Sequence, residues 1–130
     1  MRWLIGRLEK TVFDCPNPRE LAAFYGSVLG MQVNEDVEDG AWVVIGVVPG
    51  DRKLAFQRVS RWVPPRWPDP EHPQQLHLDI RVEDIEEAEQ AVTALGARRV
   101  PAKRETGFRV YLDPVGHPFC LVFGRPSSGR

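Results

Sequence analysis

Apolar residues at positions 21, 24, 25, 28 and 29 recur at the spacing of one helical face, which predicts an amphipathic helix over 18–29 with that stripe turned to a core. The ends agree. Asn17 is a capping side chain, Pro18 suits the first turn, Glu20 completes an Asn-x-x-Glu box and Gly30 supplies a left-handed stop. The arrangement returns once. Asp84 caps, Glu87 closes the box, Ile85, Ala88, Val92 and Leu95 form the stripe, and Gly96 ends it. The capping residues stand 67 positions apart and the stop glycines 66, the mark of an internal repeat.

Each predicted helix follows a strand-like stretch, 10–15 in the first half and 76–82 in the second. In the latter, Leu76, Leu78, Ile80 and Val82 alternate with His77, Asp79 and Arg81, so the two sets face opposite sides of a sheet. The repeat offset pairs Lys10 with His77 and Asp14 with Arg81. Further strands are predicted over 31–33, 41–48 and 54–59, then over 97–100, 108–112 and 119–123. Turn residues separate them at Asp39-Gly40, Pro49-Gly50-Asp51 and Asp113-Pro114-Val115-Gly116. Each half reads βαβββ. The chain is therefore predicted to be α+β, one domain over 1–124 with module 1 at about 1–59 and module 2 at about 76–124.

Between the halves, 60–75 holds Pro64, Pro65, Pro68, Pro70 and Pro73 together with Trp62, Trp67 and His72. So many prolines exclude a regular element. Two readings stay open, a stiff linker and a ligand-gating lid built on the tryptophans. Residues 125–130 are expected to form a flexible tail. A net charge of −1 and a pI near 6.3 lack the basic footprint of a nucleic-acid binder. Trp3-Leu4-Ile5 is broken by Gly6 and Arg7, short of a signal-peptide core, and no later run is long enough to span a bilayer. The expectation is a cytoplasmic protein with neither nucleic-acid nor membrane partners, whose Cys15 and Cys120 stay reduced.

The stretch Asn17-Pro18-Arg19-Glu20-Leu21-Ala22-Ala23-Phe24-Tyr25-Gly26-Ser27-Val28-Leu29-Gly30-Met31, with its Phe-Tyr then Leu-Gly pattern, resembles the first helix of glyoxalase-like proteins of the vicinal oxygen chelate superfamily. Leu76-His77-Leu78-Asp79-Ile80-Arg81-Val82 and Tyr111-Leu112-Asp113-Pro114-Val115-Gly116-His117-Pro118-Phe119 resemble a strand and the Asp-Pro-x-Gly turn of that family's second module. This glyoxalase/bleomycin resistance protein/dioxygenase resemblance implies a cupped mixed sheet that holds a ligand on its concave side, with helices on the convex side. It also implies a homodimer.

Under that resemblance, alternation lines the cup with His77, Asp79 and Arg81 and, by the repeat, with Lys10, Val12 and Asp14. In the closing strands Phe119, Leu121 and Phe123 turn to the helices, leaving Cys120 and Val122 inside, while Ala55, Gln57 and Val59 face inward in the first half. Trp42 and Tyr111 stand in middle strands, as aromatic walls of the cup or as core. Asp14 is expected to pair with Arg81, and Asp79 with Lys10. His117 reads as a turn residue and His72 as a residue of the rim.

Metal-dependent members of the family draw ligands from the first and last strand of each module, usually His or Gln and then Glu. The matching positions here hold Lys10, Gln57, His77 and Cys120. Lys10 would repel a cation, Gln57 offers a weak neutral oxygen, and Cys120 puts a soft thiol where a hard carboxylate is expected. His77, Gln57 and Cys120 are thus the candidate ligands for a divalent Zn, Ni, Fe or Mn ion, in a set that departs from the family's triad, and no cofactor is assured. Three functions follow: binding of a small polar molecule without the usual metal, a metal-dependent lyase, isomerase or dioxygenase that uses His77, and a structural dimerisation module with Trp62 and Trp67 at its interface.

Overall fold

A computed structural model of the protein describes residues 6–67, 69–102 and 105–124. The expected tail over 125–130, the run Trp3-Leu4-Ile5 and Pro68 lie outside the described residues. The element order is β1 (Thr11–Cys15), α1 (Pro18–Leu29), β2 (Gln32–Val37), β3 (Trp42–Gly46), β4 (Leu54–Arg58), β5 (Leu78–Arg81), α2 (Ile85–Ala94), β6 (Arg98–Val100), β7 (Phe108–Leu112) and β8 (Pro118–Val122). The predicted βαβββ pattern thus occurs twice, and the fold is α+β. The chain divides into two compact units, Met1–Trp62 and Val63–Arg130.

In the first unit the strands run in the order β1-β4-β3-β2, with β1 parallel to β4 and the other pairs antiparallel. Helix α1 starts where Asn17 accepts from the Glu20 N–H and stops at Gly30, whose φ of 67° is the left-handed conformation that glycine adopts without a Cβ clash. Leu21, Ala22, Phe24 and Tyr25 are buried, as the stripe predicts. Phe13 of β1, Phe56 of β4 and Tyr25 of α1 stack on one another with centroids 5.2–5.9 Å apart. Three aromatic rings from three elements bury large apolar areas at one point and fix the helix over the sheet.

Strand β2 is twice the predicted length, and its polar residues find partners on neighbouring elements. Asp36 is paired with Arg19 of α1 at 2.8 Å, Glu35 with Arg52 at 2.7 Å, and the Asn34 amide donates to the Val48 and Asp51 carbonyls. An edge strand of this kind carries no apolar alternation to detect. Strand β3 ends at Gly46, sooner than the apolar run to 48 suggests, because a Cβ there would meet the Asp51 carbonyl oxygen at 2.2 Å. Only glycine allows that turn.

The second unit repeats the order as β5-β8-β7-β6, with β5 parallel to β8. Its helix is capped as predicted by Asp84 on the Glu87 N–H, yet its apolar stripe is thin. Val92 is buried, whereas Leu95 is 41% exposed. Polar contacts do much of the docking. Glu89 accepts from the Tyr111 hydroxyl at 2.8 Å and lies 3.2 Å from Arg109 and 3.4 Å from Arg99, while Arg109 donates to Glu86 at 2.6 Å. The Tyr111 hydroxyl bond, then Arg99 and Arg109, hold the Glu89 carboxyl below its ordinary range, and burial pushes the Tyr111 phenol up.

Asp113 is fully buried, and its Oδ1 accepts from the backbone N–H groups of Val115, Gly116 and His117 at 2.9–3.0 Å. Those three bonds make the β7–β8 turn. Gly116, at φ 103°, leaves no room for a Cβ, which would lie 2.7 Å from Pro64. The proline-rich segment from Val63 onward is accordingly packed within the second unit.

Replacing Asp113 by Ala strips three backbone donors of their acceptor and is expected to lower unfolding free energy by roughly 2–4 kcal/mol, read by urea denaturation. Asp113→Asn keeps an acceptor oxygen and should lose clearly less; an equal loss would contradict this account. Glu89 has a folded pKa below its unfolded value, so its contribution is complete above the unfolded value near 4.5 and lost as pH falls through the lowered folded value. Glu89→Gln should therefore flatten the acid limb of a stability–pH curve below about pH 5.

Candidate functional site

Alternation along β5 and β8 decides what each face carries. Leu78, Ile80, Phe119 and Leu121 share the side of Tyr111, which bonds to α2. The opposite face therefore receives His77, Asp79, Arg81, Cys120 and Val122. Asp79 and Cys120 are direct neighbours across the β5–β8 pair. His77, at the entry to β5, places Nε2 3.2 Å from Asp79 Oδ1 and Nδ1 3.2 Å from Gln74 Oε1. One donor atom each from His77, Asp79 and Cys120 lies within 4.8 Å of the others. Cys120 is buried, His77 half-buried and Asp79 exposed. Trp67 of the proline-rich segment stacks on the His77 ring at 5.5 Å and 19°, so a residue considered for a partner surface is engaged inside its own unit. Arg81 donates to the Gly124 carbonyl at 2.8 Å.

On the corresponding face of the first unit stand Lys10, Asp14, Glu35, Trp42 and Gln57. Gln57 donates to Asp14 at 2.6 Å. Trp42 donates to Glu35 at 2.6 Å, and the Lys10 ammonium lies 5.8 Å from the centre of its indole ring. Arg52 closes the group on Glu35, and this guanidinium first, then the indole N–H, lowers the Glu35 pKa. An open cleft of about 420 Å³ is lined by Val37, Glu38, Ala41, Trp42, Gln57 and Arg58. Beside it the β2–β3 turn holds Glu38 and Asp39 at φ 55°, left-handed without the help of glycine.

Of the two places open to Tyr111, a wall of the cup or the core, it takes the core: it is fully buried on the helix side, stacked on Phe119 at 5.5 Å and bonded to Glu89. The register of β7, with Tyr111 opposite Phe119, puts it there. One reading of the sequence needs correction: Gln57 is not the counterpart of Cys120. Asp79 pairs with Cys120, and the repeat-equivalent Val12 pairs with Ala55, whereas Gln57 pairs with Asp14 one full pleat further on. The first unit therefore offers Lys10, Val12 and Ala55 where the second offers His77, Asp79 and Cys120. Glu35 of β2 and Arg52 of the loop before β4 carry no periodic signal in the sequence, since their pairing joins residues 17 positions apart. Asp79 was placed on this face but not counted as a donor to a cation, although its position two residues after His77 signalled a shared side.

A family model described as the glyoxalase-like domain matches residues 10–122. No curated protein matches the sequence. Among solved structures, the chain is similar to a glyoxalase/bleomycin resistance protein/dioxygenase family enzyme from Burkholderia phytofirmans PsJN, at 18% identity and a TM-score of 0.68, over 91% of this chain and 98% of that one. It is similar also to the fosfomycin resistance protein FosX of Mesorhizobium loti, at 15% identity and a TM-score of 0.65 over 94% of each chain. A third likeness is to the trypanothione-dependent glyoxalase I of Leishmania major, at 19% identity and 0.62, over 91% of this chain and 86% of that one. At such identities these likenesses speak for the fold alone.

The stack of Trp67 on His77 has a direct optical readout. The fluorescence difference between the wild type and Trp67→Phe isolates this indole, and His77→Ala should raise its quenching by acrylamide. Unchanged quenching would mean that the ring pair is not formed in solution.

Proposed function

The chain belongs to the glyoxalase-like domain family, and from that premise we propose that it binds a small polar molecule on the sheet faces turned away from its helices, without the family's usual metal triad. The observation that carries this reading is the division of side chains by face. Phe13, Phe56, Ile80 and Leu121 are buried on the helix sides, whereas Lys10, Asp14, Glu35 and Gln57 in one unit and His77, Asp79 and Arg81 in the other occupy the opposite faces. Polar and charged groups held by one another, as in the Asp14–Gln57 hydrogen bond and the Glu35–Arg52 ion pair, are pre-oriented for a polar ligand at little further ordering cost. Trp42, with its ring beside Lys10, adds an aromatic surface. Among the described residues no helix is long and apolar enough to cross a membrane; a cytoplasmic homodimer without nucleic-acid partners belongs to the same proposal.

The residues of the first unit speak against the family's usual ligand set. Lys10 brings a positive charge, and the Gln57 amide is engaged with Asp14. A second reading is favoured by a specific observation, the convergence of His77, Asp79 and Cys120. In it a divalent ion held by these residues would supply Lewis-acid chemistry to a lyase, isomerase or dioxygenase. His77, Asp79 and Cys120 would then hold the ion, the carboxylate lowering the local charge.

The first reading is tested by thermal-shift screening of chelator-treated protein against a panel of small polar and anionic compounds. At least one class is expected to raise Tm, and Arg81→Ala together with Lys10→Met should abolish that shift. Stabilisation that survives both substitutions would place binding elsewhere.

A further inference from the structure

Most charged groups on and around β2 and β3 are satisfied within the first unit. Asp36 is held by Arg19, Glu35 by Arg52 and Trp42, and Lys10 by Glu9. Glu38 forms no ion pair among the described residues, yet it lines the open cleft of about 420 Å³ together with Arg58. We propose that this cleft binds a small zwitterion of amino-acid size that carries an apolar group. Glu38 receives its ammonium, Arg58 its carboxylate, and Val37, Ala41 and Trp42 its apolar part. The site goes beyond the ligand-face reading: it shares Trp42 and Gln57 with that reading but uses neither Lys10 nor Arg81. Gln57 and Arg58 are adjacent on β4 and leave it on opposite sides, so a cleft lined by both wraps the end of the strand.

Three observations carry the proposal. The first is a conformational cost. The Gly40 N–H donates to the Val37 carbonyl at 3.2 Å, closing a turn whose two central residues, Glu38 and Asp39, both have a φ of 55°. Turns with positive φ at both centres favour Asn and Gly, and a longer side chain is held there at a cost. Non-glycine residues kept in this region cluster at ligand clamps. Here the cost places a carboxylate at the mouth of a cleft.

The second is that the turn is pinned from both sides. Arg19 of α1 grips Asp36 through two bonds of 2.8 and 3.1 Å and packs on Gly40, where a Cβ would lie 2.8 Å from Nε. Arg58 donates from its guanidinium to the Asp39 carbonyl at 3.1 Å and from its backbone N–H to the Ala41 carbonyl at 2.9 Å. Acid and base are therefore set in place before a ligand arrives, which lowers the ordering cost of binding.

The third is charge and shape. Two opposite charges line one cleft, and no ion pair joins them. A ligand with both signs can span them, whereas a simple anion is repelled by Glu38 and a simple cation by Arg58. Val37 is exposed and Trp42 half-buried, so an apolar wall stands between the charged groups, as in small-molecule sites of this volume.

The test titrates the full-length protein with L-phenylalanine and L-leucine. It also uses N-acetyl-L-phenylalanine, which lacks the ammonium, and L-phenylalaninamide, which lacks the carboxylate. The readout is the Trp42 indole N–H resonance, assigned by its loss in Trp42→Phe. At least one free amino acid should shift it saturably, with each blocked analogue about tenfold weaker. Arg58→Gln should weaken the free amino acid by about tenfold and leave the amide unaffected. Glu38→Asn should weaken the free amino acid by a similar factor and leave the N-acetyl compound unaffected. The same variant should raise Tm, because asparagine suits the left-handed turn. No saturable shift with either amino acid, equal affinity for the blocked analogues, or a Glu38→Asn protein of unchanged affinity would overturn the proposal. Thermal stabilisation that depends on Lys10 and Arg81 is a separate readout, so the cleft can fail while the ligand-face reading stands, and the reverse.

Discussion

The period-two pleat of the strands is the constraint on which the rest depends. Because successive side chains leave a strand on opposite sides, burying Phe119 and Leu121 on the helix side delivers Cys120 to the other face, and burying Ile80 does the same for Asp79 and Arg81. The parallel pairing of β5 with β8 then sets Asp79 directly beside Cys120. No separate device is needed to bring thiol and carboxylate together. The packing of the core places them, and a slip of one residue in register would send both under the helix.

The two units solve the same packing problem with different chemistry. In the first, the rings of Phe13, Tyr25 and Phe56 fasten α1 through apolar area, and the helix stripe is buried along much of its length. In the second, α2 buries Val92 and is otherwise drawn to the sheet through Glu89, Tyr111 and Arg109. Charged and hydroxyl groups in such a network are worth little if exposed and more when partly enclosed. Both helices are thereby coupled to pH, α2 through Glu89 and its partners and α1 through the Arg19–Asp36 pair. The site follows the same asymmetry: one unit keeps Lys10, Val12 and Ala55 where the other has His77, Asp79 and Cys120.

Much of the fold was legible because the signals were local. Caps at Asn17 and Asp84, a left-handed stop at Gly30 and the alternation around Ile80 each act over a few residues, and their repetition at a fixed offset gave the architecture. The Asp113 turn was also visible as a turn, although the three backbone bonds its carboxylate accepts were not. What escaped were features whose cause lies far away in sequence. The length of β2 depends on Arg19, Arg52 and the 48–51 loop. The side taken by Tyr111 depends on which residue of β8 it meets.

The sequence by itself determined the duplicated βαβββ order, the helices and the membership of His77, Asp79, Arg81 and Cys120 in one face, since periodicity and capping are properties of neighbouring residues. Tertiary structure decided the pairing registers. Those registers set Gln57 against Asp14 rather than in the place of Cys120, turned Tyr111 into an anchor for Glu89, and drew Trp67 onto the His77 ring. Register and stacking arise from contacts between residues distant along the chain, and no local pattern specifies which of several such contacts will be made.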